Sequence, residues 1–491
     1  MKHLQQYKIE PLLLVTCVIG LCWQPVPICA QDKAQPYNVL MIMVDDLNDW
    51  VGFLDGHPQG DTPNMNKLAT EGLTFERAYT AAPACNPSRV AIFTGYRPST
   101  TGVYKNAHYM RNAPLLKEAV TLPEYFAQHG YFTTARGKLF HRLKTKWAEA
   151  ETWEHYHFPQ GDQMIQHPEK SAERLAGGLS FNPNGGNNFD WGDLSVPLEE
   201  TMDFQTASWA AEELRKEHDR PFFIACGIFK PHLPWYLPGG YRDAFPIEQL
   251  DMPKVNPDDL DDIPSYGQAI SQGLDENHDY QRLKRHGLEK EAVQAYLASM
   301  KYADDCVGIV LKALEQSAYR DNTIILLIGD HGWHFGEKLH YRKFSLWEES
   351  CRVPFVLRVP GITRPGSRSS RLVNLVDIFP TLTDLCGLPS KVDNDGVSLK
   401  PLLRKPNRKW HRYNLTTLDY QAHSVITKRW RYIRYPDGSE ELYDHRRDPL
   451  EWKNLARKRQ FQSKKKKLQA KFPIINAPAV KPEKVPSYEI N

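Results

Sequence analysis

The chain has 491 residues, of which 41% are hydrophobic and 25% charged, with a formal net charge of +3. So small a net charge excludes a global field for nucleic acid, and a chain this long buries an ample core without staples, so its 8 cysteines are not a disulfide scaffold. The length allows two to four domains, or one large α/β domain with an appendage.

The first thirty residues read as a secretory leader. Lys2 and Lys8 make a basic start, Leu12 to Cys22 an apolar core, and Ile28-Cys29-Ala30 a small-residue cleavage site. The apolar run is too short for a membrane span, no lipobox precedes Cys17, Cys22 or Cys29, and no second long apolar stretch follows. The expected mature chain is therefore exported, periplasmic or secreted, with no stable membrane insertion. Beyond the leader remain Cys85, Cys226, Cys306, Cys351 and Cys386, of which Cys226 and Cys386 lie in apolar runs and read as core thiols.

Asn38 to Val44 is an apolar run ending at Asp45-Asp46, the pattern of a buried strand with two carboxylates at its carboxyl end. Met65 to Gly72 reads as a helix. Cys85-Asn86-Pro87-Ser88-Arg89 continues into Val90-Ala91-Ile92-Phe93-Thr94-Gly95. Pro87 and Ser88 suit the first turn of a helix through Thr94, whose start would offer free amides and a partial positive charge to an anion. Leu122 to Gly130 is a helix stopped by glycine, and Tyr131 to Ala135 a strand leading into Gly137-Lys138-Leu139-Phe140-His141. Residues 145 to 200, rich in Gly, Asn, Pro and aromatics, read as long surface loops.

Phe222 to Phe229 is a buried strand ending at Lys230-Pro231-His232, Lys290 to Ser317 a long amphipathic helix, and Thr323 to Gly329 a strand ending at Asp330-His331-Gly332. Val353 to Val359 reads as a further strand and Asp377 to Gly387 as a helix with a glycine stop. From Trp410 the texture changes to short alternating runs. Tyr413 to Leu418, Ser424 to Thr427, Tyr432 to Tyr435 and Glu441 to Tyr443 read as antiparallel strands, with Pro436-Asp437-Gly438 as a turn. A charged helix from Arg457 to Phe472 and a draped or loose Pro-rich tail from Pro473 follow.

Strands alternating with helices predict an α/β fold: a large, mostly parallel sheet flanked by helices, with a smaller C-terminal antiparallel-sheet subdomain. The boundaries read as 1–30 leader, 31–408 main domain and 409–491 C-terminal part. Each charged motif follows the carboxyl end of a strand, the edge where such sheets hold ligands. Asp45, Asp46, Asp330 and His331 are hard oxygen donors plus one imidazole, a set suited to Ca²⁺. Lys138, His141, His232 and Lys343 would place cation-capable side chains beside it. The basic runs Arg404 to Arg412, Lys428 to Arg434 and Lys464 to Lys467 read as solvated surface or, more sharply, as a positive rim for an anionic polymer.

These motifs carry a resemblance. Cys-x-Pro-Ser-Arg closed by Thr94-Gly95, Gly137-Lys138-Leu139-Phe140-His141, Lys230-Pro231-His232-Leu233-Pro234, Asp330-His331-Gly332-Trp333 with Gly336-Glu337, and Lys343 resemble the type I, formylglycine-dependent sulfatases of the alkaline-phosphatase-like superfamily. The Gly-Lys-x-Phe-His and Lys-Pro-His-x-Pro runs are most similar to the iduronate-2-sulfatase-like branch. The resemblance runs from about Asn38 to Leu455 and takes in Glu441-Leu442-Tyr443-Asp444.

It implies an enzyme that hydrolyses sulfate esters of a carbohydrate. Cys85 would be oxidised to formylglycine by a formylglycine-generating enzyme, and the aldehyde hydrate would attack sulfur. Asp45, Asp46, Asp330, His331 and the modified Cys85 would bind Ca²⁺, and Arg89 and Lys138 would support the hydrate. His141 would act on its second hydroxyl to release sulfate. His232 and Lys343 would contact the sulfate and leaving oxygen, with His232 as general acid. Two rivals remain: a phosphatase or phosphonate hydrolase of the same fold, marked by a second metal set, and a non-catalytic sulfoglycan-binding protein, which would not need Cys85 and Arg89.

Overall fold

Eight strands form one sheet: β1 (Asn38–Val44), β2 (Leu73–Phe75), β3 (Phe132–Gly137), β4 (His155–His157), β5 (Phe222–Ile228), β6 (Thr323–Gly329), β7 (Phe355–Arg358) and β8 (Ser367–Ser369). They lie side by side in the order β8-β2-β7-β6-β1-β5-β3-β4. The structure, a computed structural model, describes residues 36–142, 146–158, 189–272, 279–391 and 393–483. The leader expected at residues 1–30 lies outside them. Among the described residues no helix is long and apolar enough to cross a membrane.

β1 lies at the centre because its run leaves no polar face to expose, and all seven positions are buried. Its side chains alternate between two cores, as the strand period of two requires. Leu40, Ile42 and Val44 pack with α1 (Pro63–Glu71), α4 (Met202–Glu213) and α5 (Glu289–Glu315). Val39, Met41 and Met43 pack with α2 (Cys85–Thr94), α3 (Leu122–Gln128) and α6 (Ile378–Leu385). Each fully buried side chain of this kind contributes about 1.5–3 kcal/mol. α5 also caps α1, since Asp304 accepts hydrogen bonds from the Asn64 and Met65 amides at 2.9 and 2.8 Å.

β1, β3, β4, β5 and β6 run parallel, whereas β7 runs against both β6 and β2. The strand expected at 353–359 is split, because Pro354 cannot donate to a ladder. Arg352–Val353 pairs instead with Ala78–Tyr79. Residues 145–200 are not all loop. In their described part β4 forms the sheet edge, and Trp191–Leu194 pairs with Trp235–Pro238. Short strands at an edge carry too little alternation to be read from sequence.

β9 (Asn414–Asp419), β10 (Ala422–Ile426), β11 (Trp430–Arg434) and β12 (Glu440–Asp444) form a separate antiparallel sheet. The final helix is shorter than its pattern, Gln462–Gln469, with Leu468 as its buried apolar anchor. The tail is draped: the amides of Ala477, Val480 and Glu483 donate to the carbonyls of Ser99, Gly102 and Ala107. The described cysteines Cys85, Cys226, Cys306, Cys351 and Cys386 are all free; Cys386 is only partly buried.

Two glycines set how closely β3 and β5 approach at their ends. Gly137 has φ +86°, and a Cβ there would fall 2.0 Å from the Gly227 carbonyl oxygen; a Cβ on Gly227 would fall 2.5 Å from the Lys138 carbonyl carbon. Their lack of a side chain lets the Lys138 amide donate to the Gly227 carbonyl at 3.0 Å, which aims Lys138. Gly137→Ala should therefore destabilise the protein by about 3 kcal/mol and displace Lys138. Thermal unfolding read together with hydrolysis of a chromogenic sulfate ester checks this; an unchanged midpoint with full activity would show that the approach is not needed.

Candidate active site

The carboxyl ends of β6, β1, β5 and β3 are neighbours in the sheet, so the charged residues that follow them must meet. β6 delivers Asp330 and His331, β1 Asp45 and Asp46, β5 His232, and β3 Lys138 and His141. α2 brings Cys85 in as its first residue. It is tied to the rim through Ser88, whose hydroxyl donates to the Asp330 carbonyl at 2.6 Å.

Arg89 organises the carboxylates. Its Nη2 is 2.8 Å from Asp45 Oδ1 and its Nε 2.8 Å from Asp330 Oδ2, with all three side chains 0% exposed. Nη1 donates to the Leu139 carbonyl at 2.9 Å and also to that of Lys138. Four of its five N–H groups are thus engaged with partners other than residue 85, and its part is to hold the metal-type carboxylates. The Lys138 ammonium likewise meets Asp45 Oδ2. Lys343 is the cation on Cys85, with Nζ 2.5 Å from Asp46 Oδ1 and 3.2 Å from Cys85 Sγ. His331 Nε2 is 3.2 Å from the same sulfur and 3.3 Å from Asp46 Oδ1.

Of the amides at the start of α2, those of Asn86 and Ser88 are already engaged and Pro87 has none. Asn86 N donates to Asn106 Oδ1, and Ser88 N returns to the Ala84 carbonyl. Side-chain cations at Lys138 and Lys343 supply the main positive charge here.

Backbone strain is concentrated in the same place. Asp46 has φ +59°, a left-handed conformation that a non-glycine residue holds only when its surroundings over-determine it. Its amide donates to Asp330 Oδ1 at 3.1 Å and its carbonyl accepts from the Tyr296 hydroxyl at 2.9 Å, which in turn accepts from the Asn48 amide at 2.9 Å. Lys343 arrives on a loop in which Lys338, Leu339, Arg342 and Phe344 all have positive φ. His340 bridges that loop, with Nε2 2.8 Å from the Lys343 carbonyl and Nδ1 2.9 Å from that of Ser271.

Tyr296 and Asp203 were not legible as site residues. Tyr296 sits inside α5, far along the chain from the rim, and Asp203 begins α4. The Asp203 carboxylate accepts from the Phe229 and Lys230 amides at 2.7 and 2.8 Å and so fixes the turn that presents His232. Nothing local in either sequence marks a partner so distant.

Burial alone would raise the Asp45 carboxyl, but Lys138 and Arg89 outweigh it and hold Asp45 well below the usual carboxylate range. Asp46 is pushed up by burial, with Lys343 opposing and Asp45 adding. Burial would lower His331; Asp330 reverses this and takes it up to about 9. His141 and His232 are both driven well below the imidazole range, by burial first and Lys138 second. His141 Nδ1 is buried without a hydrogen-bond partner among the described residues. His232 Nδ1 lies 2.5 Å from the Leu233 carbonyl, and its Nε2 3.9 Å from Asp46 Oδ2.

The donors fit a hard cation. One oxygen or nitrogen each from Asp45, Asp330 and His331, with Cys85 Sγ, lie within 4.8 Å of one another; so do those of Asp45, Asp46 and His232 with Cys85. Asp46 Oδ2 is buried and accepts no hydrogen bond among the described residues, the state of an oxygen waiting for a positive partner. A third group, Glu348, His445 and Glu451, is already filled by Arg431, whose guanidinium meets both carboxylates. It is an ion-pair cluster rather than a second metal set.

The chain is similar to known proteins over most of its length. The sulfatase family model matches residues 37–388, and the model for the C-terminal part of N-sulphoglucosamine sulphohydrolase matches residues 329–477. A sulfatase of Formosa agariphila is 36% identical over 479 residues, 95% of this chain and 92% of that protein. The iduronate 2-sulfatase of Mus musculus is 31% identical over 386 residues, 72% of this chain and 69% of that one. A solved structure of a protein in complex with its substrate D-glucosamine-2-N,6-O-disulfate superposes with a TM-score of 0.70 at 21% identity, covering 89% of this chain and 96% of that one.

The Arg89 cluster gives a direct test. Arg89→Ala would leave Asp45 and Asp330 buried beside each other with one cation fewer, at a cost of about 3–5 kcal/mol. Thermal unfolding should show a large drop in midpoint, whereas Tyr296→Phe, which removes one buried hydroxyl, should cost about 1–3 kcal/mol. Equal stability of Arg89→Ala and the parent would mean that the cluster is not held as described.

Proposed function

The chain belongs to the sulfatase family, and from that premise we propose that it is an exported enzyme removing sulfate from a sulfated carbohydrate, with formylglycine made from Cys85 as nucleophile and Ca²⁺ held by Asp45, Asp46, Asp330 and His331. It is a sulfuric ester hydrolase of the alkaline-phosphatase-like fold. The observation that carries the site assignment is the convergence of Cys85 Sγ on Lys343, His331 and Asp46 inside a buried ion cluster. The thiol stands where the hydrate oxygens would stand.

Charge counting supports the anion. Asp45, Asp46 and Asp330 are matched one for one by Arg89, Lys138 and Lys343. A divalent cation added to that balance leaves the site positive, and so complementary to a sulfate group whose negative charge grows as its ester bond breaks. When bound, Ca²⁺ would supply neutralisation of that charge. The formylglycine hydrate would supply two hydroxyls on one carbon, one to attack sulfur and one whose deprotonation expels sulfate.

The remaining work falls to this chain's side chains. Lys343 holds the sulfate and the nucleophile at once. His141, kept neutral by burial and Lys138, can take a proton from the second hydroxyl. A neutral His232 with Nδ1 on the Leu233 carbonyl carries its proton there. Donation from Nε2 to the leaving oxygen requires the doubly protonated ring, which burial and Lys138 oppose in the free site and an incoming anion favours. Sugar sulfates as substrates are supported by the relatives named for iduronate and glucosamine sulfates. Export is supported by the leader pattern, and a formylglycine-generating enzyme is the maturation partner that Cys85 requires.

Mass spectrometry of the tryptic peptide holding residue 85 tests the nucleophile; unmodified cysteine in fully active enzyme would sink it. Cys85→Ala should abolish turnover and leave the fold intact. Asp46→Asn should weaken Ca²⁺ binding and activity together, and stoichiometric zinc without calcium on elemental analysis would contradict a hard-cation site. An alkoxide leaving from a sugar needs a proton and a nitrocatecholate does not. His232→Ala should therefore slow sugar sulfates about 10²–10⁴-fold while sparing nitrocatechol sulfate, and His141→Ala should slow both alike. Equal losses on both substrates for His232→Ala would reassign the acid.

A further inference from the structure

Between Glu451 and Glu483 the chain has no acidic residue and ten lysines and arginines. Taking those ten from the net charge of +3 leaves −7 for everything else. The fold keeps this charge together. Arg457, Lys458 and Arg459 are exposed on the approach to the Gln462–Gln469 helix, and Lys466 and Lys467 are exposed on it. Some exposed cations elsewhere find acids, as Lys67 does with Glu315 and Arg220 with Glu154. Here Lys465 turns inward to Glu440, and among the described residues Arg457, Lys458, Arg459, Lys464, Lys466 and Lys467 have no acidic partner. An unpaired run of like charge repels itself, and a polyanion bound along it relieves that repulsion while releasing the small counterions that screen it.

Aromatic rings sit among these cations. Lys464 Nζ and the Arg429 guanidinium lie 5.6 and 4.8 Å from the centre of the Trp430 ring, and Lys471 Nζ lies 4.6 Å from that of Tyr413. Next to the helix a cavity of about 530 Å³ is lined by Arg97, His411, Arg412, Lys471 and Tyr413, with one carboxylate, Asp395, among them. Within this lining Arg97 Nε is buried without a hydrogen-bond partner among the described residues. Ring faces beside paired cations suit a chain of sugars with sulfate substituents.

β9 joins this face to the active site. The Thr416 hydroxyl donates to the Thr80 carbonyl and the Thr417 amide to that of Ala81, shortly before Cys85. At its far end Asp419 pairs with Lys105, whose carbonyl accepts from the Asn86 side chain. Its other end borders the cavity through Tyr413 and Leu415. A strand of six residues spans roughly 20 Å.

We propose that this basic face is a second, non-catalytic binding site for a sulfated polysaccharide, which holds one stretch of the chain while a sulfate elsewhere on the same chain occupies the active site. The identity of the anion rests on the sulfatase reading. A flexible linear chain can follow β9 and enter a narrow cavity; a stiff duplex or a flat bilayer cannot. Binding at two points raises the effective concentration of the next sulfate at Cys85. Screening over about 8 Å at physiological salt keeps the face from acting on a small ester bound at the active site.

The test uses the full-length Cys85→Ala protein, which binds without turnover, with dextran sulfate as probe. The variant combines Arg457→Gln, Arg459→Gln, Lys464→Gln, Lys466→Gln and Lys467→Gln and spares Lys465. At 0.15 M salt its dextran sulfate affinity should fall about tenfold or more, and the slope of log affinity against log salt should become shallower by about one for each cation that no longer meets a sulfate. With Cys85 intact, the same five changes should lower kcat/KM on the polymer and leave 4-nitrocatechol sulfate hydrolysis unchanged. Full retention of dextran sulfate affinity overturns the proposal. So does binding of double-stranded DNA, or of phosphatidylserine vesicles, as tight as that of dextran sulfate. Should the fivefold variant lose its unfolding transition, Lys466→Glu with Lys467→Glu, both exposed, carries the same readouts. Failure of the parent to hydrolyse nitrocatechol sulfate would remove the sulfatase reading and leave the binding result to stand by itself.

Discussion

Three carboxylates and three cations, all but sealed from water, are the constraint on which the rest of this molecule depends. Asp45, Asp46 and Asp330 face Arg89, Lys138 and Lys343, none more than 5% exposed. Removing each ion from water costs several kcal/mol, and attraction compensates only where geometry is close. That requirement explains why the donors come from four adjacent strand ends and one helix start. Rigid elements hold these positions closely, and Lys343, which comes from a loop, is fixed instead by the His340 bridge. It also explains the role of Arg89. A planar fork can reach two carboxylates and two carbonyls at once, which a lysine could not do.

The same need for closeness accounts for the strain. Asp46 and the residues around Lys343 occupy left-handed conformations that each cost of order 1–3 kcal/mol. They are held by Tyr296, by Asp330 and by the His340 bridge rather than by their own preferences. Gly137 and Gly227 avoid a similar cost by having no side chain where β3 and β5 converge. The stability of the two cores on either side of β1 is what these local costs are set against.

Charge is arranged at two scales. At the active site it is balanced pair by pair and buried. On the C-terminal helix it is unbalanced, exposed and all of one sign, while the remainder of the chain is acidic. A protein acting on a polyanion gains from that separation. On the proposed reading, the small site would decide which bond breaks and the wide face which molecules stay long enough for it to break.

Much of this was legible in the chain itself. Unbroken apolar runs at Asn38, Phe222 and Thr323 announce buried parallel strands, since a strand wetted on neither face has no reason to alternate. The charged residues at their ends follow the rule for open α/β sheets, so Asp45, Asp330, Lys138 and His232 could be placed on one rim from their positions in the chain. The run from Cys85 to Arg89 pointed to the sulfatase family by residue type and order, and the family model matches residues 37–388. Not legible were the groups that act across the fold. Tyr296 under Asp46, Asp203 under the His232 turn, and Arg89 turned to the carboxylates rather than to residue 85 depend on partners tens to hundreds of positions away. The split at Pro354, the edge strand at His155 and the shortened final helix depend on neighbours rather than on their own patterns. Sequence determined which groups are present and at which end of which strand, because periodicity and local sterics act over a few residues. Only the tertiary structure decided who pairs with whom, because Coulomb energy and hydrogen bonding inside a dry core depend on distances that no local pattern encodes.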